Sequence, residues 1–419
     1  MDRQFFELSL ARAWSFRRQG NAPKAVEYAK KTLEIAHKTD PECVMIALEF
    51  LGSSYETAGD FDNAFQCYAR TLETGEKILR HYPDDIMGEI ALCSAYAGLA
   101  GIDLKLQRYE RAEILYKKLY DRSFKRLIPR QCDPLPMKEN KRFHAQSCSH
   151  ICDLYLATEN GTQAIKYSHE FNLIMLELFE HDGLDPEIRS RLLTSYVQHG
   201  RALELTGRYQ EAINCFDAAL PLGEVLIAEY PDVYEFTEGF LSSLQSSGDL
   251  LSVLGNHAGA LVRYEKGYVM VKGFFNKNLN DETAKFNLAV AACKVGGAYI
   301  YLNEPELAFP YLAEENRLYL ELVREPSFKA EFYFGLSISY ANLVLYYQQK
   351  RDMAGAKNSA HKRCDVLSSL AEKPSANRKY KLALKESFLA LAKIYRNDND
   401  HLSAKLFTDR ASAIHISAI

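Results

Sequence analysis

Leu51-Gly52-Ser53-Ser54-Tyr55-Glu56-Thr57-Ala58-Gly59-Asp60-Phe61-Asp62-Asn63-Ala64-Phe65-Gln66-Cys67-Tyr68 is the stretch that decides the fold. It holds two apolar-periodic segments broken by Ala58-Gly59-Asp60, a turn signal between helices. Two helices joined by a tight turn approach each other most closely near that turn. A small side chain such as Ala64 lets the backbones meet there. Tyr68, four residues on and one turn up the same face, fills the widening gap.

The pattern recurs along the chain. Comparable turns are Gln19-Gly20-Asn21, Leu106-Gln107-Arg108, Glu159-Asn160-Gly161, Thr206-Gly207-Arg208, Leu254-Gly255-Asn256, Leu302-Asn303-Glu304, Lys350-Arg351-Asp352 and Asn397-Asp398-Asn399. The alanines after them are Ala25, Ala64, Ala112, Ala164, Ala212, Ala260, Ala308, Ala356 and Ala404, separated by 39, 48, 52 and then five times 48 residues. A fixed period marks a repeat array, and each step has room for two amphipathic helices. Tyr116, Phe216 and Tyr264 stand where Tyr68 does. Tyr167, Tyr311 and Phe407 come three residues after their alanines, and Ala360 leaves one repeat without the aromatic.

These residues resemble the tetratricopeptide-repeat family. That family has a small residue twelve before the alanine and an aromatic nine before it. Gly52, Ala100, Cys152, Gly200, Gly248, Gly296 and Ala392 occupy the first position, with Val344 a poor fit. Phe16, Tyr55, Tyr155, Tyr299, Tyr347 and Tyr395 occupy the second. The resemblance implies an all-α, right-handed superhelical solenoid of about nine antiparallel helix pairs. The family's usual repeat is about 34 residues. The longer step here predicts helices of roughly 20 residues, or about 30 Å. Long repeats with Tyr-Pro-Asp exits (82–84 and 230–232) are similar to arrays in bacterial multidomain signalling and defence proteins, where the array is a sensor or docking arm.

Ile128-Pro129-Arg130-Gln131-Cys132-Asp133-Pro134-Leu135-Pro136 holds three prolines too close together for a helix. It predicts a connecting loop at 128–142, either plain or acting as a hinge or docking loop. Irregular repeats precede it at 1–127, and regular 48-residue repeats follow at 143–419.

Net charge is −4 and pI about 6.3, so no broad basic footprint for nucleic acid is expected. Nine cysteines, an odd number, and an N-terminus that begins Met-Asp-Arg-Gln-Phe-Phe-Glu predict free thiols, no secretory signal and a cytoplasmic location. The longest charge-free stretch, Ile90 to Ile102, is too short to span a membrane.

His144, Cys148 and Cys152 share a helix face, with Cys132 and His150 near in sequence. Soft ligands at this spacing could hold zinc. Cys152, however, sits at the small packing position of the repeat, and Cys148 lies one turn before it. Packing is the expected role, and no metal or cofactor is expected. Arg410 and His415 form the Arg-x4-His spacing of some helical ribonucleases, and His181-Asp182 resembles a metal-binding pair of helical phosphohydrolases. Both fit repeat or turn positions better. Phosphate-loop, zinc-protease and nucleophile-elbow motifs are lacking. An enzyme is therefore not expected.

In the family the first helix of each pair lines a concave groove. Carrying its offsets over implies Trp14, Arg17, Glu49, Ser53, Glu56, His150, Asp153, Gln198, Arg201, Glu204, Gln245, Asp249, Lys294, Asn342, Gln348, Lys393 and Arg396. The set mixes both charges with amides, which suits an extended peptide. The ends carry Phe5, Phe6, Leu8, Leu10, Trp14 and Phe16, and Ile414, Ile416 and Ile419. Such apolar ends predict self-association unless they face the neighbouring repeat. The expected function is a scaffold or adaptor that binds a protein or peptide, with no nucleic-acid or membrane partner. The alternatives are a peptide-responsive regulator and a metal-dependent or ribonuclease-like enzyme.

Overall fold

The computed structural model describes residues 2–18, 21–127, 137–230, 234–279, 281–324, 328–373 and 378–414. Cys132, His415, Ile416, Ile419, the 231–232 part of the second Tyr-Pro-Asp exit and residues 128–136 of the expected loop lie outside them.

Among the described residues every regular element is a helix. The first ten are α1 (Asp2–Arg18), α2 (Ala22–Ala36), α3 (Pro41–Thr57), α4 (Phe61–His81), α5 (Ile86–Lys105), α6 (Tyr109–Lys125), α7 (Met137–Ala157), α8 (Gly161–Asp182), α9 (Pro186–Leu205) and α10 (Tyr209–Glu229). Then come α11 (Tyr234–Val253), α12 (His257–Lys277), α13 (Glu282–Tyr301), α14 (Pro305–Leu322), α15 (Ala330–Gln349), α16 (Met353–Ala371), α17 (Arg378–Asn397) and α18 (His401–Ser412). Consecutive helices pack in pairs, the arrangement of a helical-repeat solenoid. Most helices after α3 reach the length expected from the 48-residue step. Helix α7 begins at Met137, inside the stretch read as a connecting loop. Two compact units divide the chain, 1–240 and 241–419.

The turns explain the register. Five residues before each repeat alanine from Ala64 onward the backbone is left-handed: Gly59, Gln107, Glu159, Gly207, Gly255, Asn303, Arg351 and Asn399 all have φ between 54° and 81°. One residue later an amide returns to the preceding helix, as from Asp60 N to Tyr55 O at 2.9 Å and from Asp352 N to Tyr347 O at 2.8 Å. This closes the helix end. The same residue often caps the next helix. Asp60, Asn160, Asn256, Asp352 and Asp400 each accept from the amide three residues on. One short segment thus stops one helix and starts another.

The small-against-large packing takes two forms. In the first, a glycine twelve before the alanine lies under a large side chain four after it. A Cβ on Gly52 would stand 2.9 Å from Tyr68, on Gly200 2.7 Å from Phe216, and on Gly248 2.6 Å from Tyr264. In the second, the tyrosine nine before the alanine stacks on the aromatic three after it. Tyr155–Tyr167, Tyr299–Tyr311 and Tyr395–Phe407 do this at 5.7, 5.9 and 5.6 Å. The repeats of Ala164, Ala308 and Ala404 use the second, and the repeat of Ala356, with Val344, Ser359 and Ala360, uses neither. Both forms place an aromatic ring near the turn, the first over a glycine and the second against another ring.

Cys152 is buried at its packing position, with Sγ 3.7 Å from Ala164 O. At the N-terminal end Phe6 is buried while Phe5 and Leu8 are exposed, and at the other end Ile414 is half-buried against the last pair. Among the described residues one helix, α5, is long and apolar enough to cross a membrane by length and composition, and 56% of its apolar window is buried inside the fold.

Candidate functional site

In the first unit, the first helices of four consecutive pairs line one groove of about 740 Å³. Helix α1 contributes Leu10, Trp14 and Arg17. Helix α3 contributes Ile46, Glu49, Phe50, Ser53 and Glu56. Ser94, Ala97, Gly98, Gly101, Leu104 and Lys105 come from α5, and Phe143, Gln146 and His150 from α7. Six of the residues expected from sequence therefore share one cavity: Trp14, Arg17, Glu49, Ser53, Glu56 and His150.

One wall is aromatic and cationic. Trp14 and Phe50 lie 4.9 Å apart, and the Arg17 guanidinium sits 5.2 Å and 5.8 Å over their rings. Arg17 also donates to Ser53 Oγ at 2.6 Å. The cation is thereby held in place without a carboxylate, and its charge remains available to a ligand. The other wall is acidic. Glu56 accepts from Tyr68 OH at 3.2 Å and pairs with Lys105 at 2.7 Å. Glu49 meets water along the groove, but the walls around it raise its pKa, and the Ser94 hydroxyl offsets this only in part. His150 stacks on Tyr116 at 5.9 Å. Burial, helped by Arg191, pushes its pKa down to about 4, so its ring is neutral at pH 7.

Next along the inner face, Gln198 donates to Asp153 at 2.7 Å and to Ser149 O at 3.4 Å. Burial lifts the Asp153 carboxyl to about 6. Gln198 Oε1 is buried with no hydrogen-bond partner among the described residues, and Gln198 lies outside the groove's lining. Arg201 is exposed and Glu204 half-buried on α9.

In the second unit the expected residues are more tied up. Asp249 accepts from Lys294 at 2.7 Å and from Tyr264 OH at 2.6 Å. Asn342 donates inward to Glu315 Oε2 at 3.3 Å and contacts Cys293 Sγ at 3.4 Å. Gln245, Gln348, Lys393 and Arg396 are exposed on α11, α15 and α17.

The sequence reading missed α5 completely. At the offsets that give Glu49, Ser53 and Glu56 in the preceding repeat, α5 carries Ala97, Gly101 and Leu104. A search for polar side chains passes over them. The smallness of Ala97 and Gly101 is what opens the floor of the groove, and that is the signal that could have found them. Asp182, from the His181-Asp182 pair, is bound by Lys138 at 2.6 Å. Arg410 lies over Phe407 at 5.3 Å, while its proposed partner His415 is outside the described residues.

Paired helices stacked so that their first members line a groove define a helical-repeat binding fold. The tetratricopeptide-repeat family matches residues 47–80 and 193–221, and the chain is a tetratricopeptide-repeat protein. No curated protein matches it. Among solved structures it is similar to the apo form of RapI, with TM-score 0.62 and 10% identity over 97% of this chain and 96% of that one. It is also similar to the apo form of the quorum sensor NprR from B. thuringiensis, with TM-score 0.56 and 12% identity over 98% and 99%. A third is the signal transduction ATPase with numerous domains and a tetratricopeptide repeat sensor from Pyrococcus horikoshii, with TM-score 0.56 and 16% identity over 92% of this chain and 52% of that one. At these identities the likeness is one of fold.

Proposed function

We propose that the chain is a non-catalytic binding scaffold whose first-unit groove takes an extended peptide or a peptide segment of a protein partner. The observation that carries this is the groove itself, which holds the pinned Arg17 cation together with the Glu49 and Glu56 carboxyls. An extended backbone has donors and acceptors along its length, which the Arg17 guanidinium and the groove hydroxyls can meet. The 740 Å³ floor accepts side chains between Trp14 and His150. The names of two similar structures, a quorum sensor and a repeat sensor, agree with a role in signalling.

Trp14 is the chain's single tryptophan, so its fluorescence reports on this groove alone. The test is to screen host peptide fractions by that signal and then repeat the titration with Gly101→Leu. A Cβ at Gly101 meets its nearest atoms at 3.8 Å, so the backbone there accepts a side chain, and helicity checks that the longer leucine is tolerated. The expected result is at least about a tenfold loss of affinity, or ~1.4 kcal/mol, with helicity retained. A peptide that binds the plugged variant equally well would sink the proposal.

A second reading, a peptide-responsive regulator, is favoured by the groove's construction from four helix pairs. A ligand that bridges α1 to α7 links the tilts of all four pairs and so biases one arrangement of the repeats. Small-angle scattering with and without the peptide found above distinguishes the two: a fixed curve means a scaffold only.

A further inference from the structure

A cluster away from the groove lies where α6, α7 and α8 meet. The His144 ring is fully buried, between Tyr120 at 4.9 Å and Phe124 at 5.5 Å. Ser123 Oγ donates its one proton to Tyr120 O at 2.9 Å. The same oxygen lies 2.8 Å from His144 Nδ1, and it therefore accepts from Nδ1–H. The neutral ring then presents its Nε2 lone pair to Glu170 Oε1 at 2.9 Å, with Cys148 Sγ 3.8 Å from that nitrogen. A lone pair facing a carboxylate is repulsive. A cation between them, either a second ring proton or a metal ion, makes the contact attractive.

The three donor atoms lie within 4.8 Å of one another. A tetrahedral zinc ion, with bonds of about 2.0–2.3 Å, sets its ligands roughly 3.3–3.6 Å apart, so closing the site takes movements of about an ångström. The outer contacts already suit an ion. His144 Nδ1–H is anchored on Ser123, and Glu170 Oε2 accepts from Tyr120 OH at 2.8 Å, so both ligands are oriented from behind.

We propose that His144 Nε2, Cys148 Sγ and Glu170 Oε1 bind one divalent ion of the zinc type, with the fourth position left to water. Nitrogen, sulfur and carboxylate donors together select a borderline metal over magnesium or calcium. A neutral imidazole, a thiolate and a carboxylate cancel the ion's charge, which a buried site requires. Binding forms the three bonds to the metal and releases the Cys148 thiol proton, while the neutral His144 ring, protonated on Nδ1, supplies its Nε2 lone pair. Glu170 is 28% exposed and gives the ion a way in. Cys152, the other cysteine on this helix face, is not a ligand, since it packs on Ala164. The ion would fasten α7 to α8, and α7 also carries Phe143, Gln146 and His150 of the groove.

The test adds cobalt chloride alone to chelator-treated full-length protein. One equivalent should produce a near-ultraviolet thiolate-to-cobalt band, and zinc chloride should displace it. Cys148→Ala should abolish the band. Ser123→Ala, which keeps all three ligands, should weaken binding about 10- to 100-fold. Zinc should also shield Cys148 from alkylation, read by peptide mass spectrometry on the unmutated chain, which decides the matter if a variant fails to fold. No thiolate band, a band that survives Cys148→Ala, or Cys148 alkylated equally with and without zinc each overturns the proposal. None of these readouts depends on a peptide, so this site and the groove fail or stand separately.

Discussion

Glu49 in the first unit and Glu315 in the second are both carboxyls whose pKa is raised by burial, yet they do opposite things. Glu49 stands in an open groove and meets water. Glu315 is 0% exposed on α14, accepts from Asn342, and is pushed up to about 8. The Cys293 thiol beside it partly offsets that rise. The first unit leaves its acid open to the groove, and the second seals its acid in the core. Similar repeats therefore carry different interiors, and the difference lies in the side chains between helices rather than in the helices themselves.

The strongest way to break this comparison is to neutralise both acids. A folded pKa near 8 lies above the ordinary glutamate value, so the native state favours the protonated form of Glu315. Its contribution is present below about pH 4.5 and is lost as pH rises through about 8. Glu315→Gln should therefore stabilise the second unit by on the order of 4 kcal/mol at pH 8 and by little at pH 4.5. Urea unfolding followed by circular dichroism, with hydrogen exchange along α14, checks this. Glu49→Gln should stabilise in the same direction at neutral pH, but by less than Glu315→Gln. Equal effects from the two substitutions would show that the acids share one environment.

A smaller effect sharpens the picture of the groove floor. A Cβ on Gly98 would lie 2.5 Å from the Tyr68 ring, while one on Gly101 would touch nothing closer than 3.8 Å. Gly98→Ala should cost about 1–3 kcal/mol through overpacking. Gly101→Ala, one turn along the same helix, should gain up to about 1 kcal/mol from helix propensity. Thermal melts of the two variants suffice, and a costly Gly101→Ala would mean that the floor is closed.

The smallest effects belong to the turns, where the two units are built alike. Gly207 in the first unit and Arg351 in the second have φ of 75° and 57°. Gly207→Ala should cost about 1 kcal/mol, and Arg351→Gly should gain up to a similar amount. Gains or losses of the same sign in both would contradict a shared left-handed turn.

Much of this was legible in the chain. The repeat alanine, the small residue before it and the capping residues each act within a dozen positions, so their spacing predicts the pairs, the turns and the helix lengths. Even the departures at Tyr167, Tyr311 and Phe407 were visible, although the stacking that explains them was not. The groove was half legible. Trp14, Arg17, Glu49, Ser53, Glu56 and His150 follow from repeat offsets, but the α5 floor is made of residues notable only for what they lack.

By itself the sequence determined the local grammar: where helices stop, where they start, and which face is buried. Those depend on backbone geometry and side-chain size at short range. Only the tertiary structure decided that Glu170 meets His144 across 26 residues, that Glu315 is sealed by Asn342 and Cys293, and that Gly101 leaves a cavity. Contacts between helices depend on the packing of several side chains at once, and no single spacing in the chain records the result.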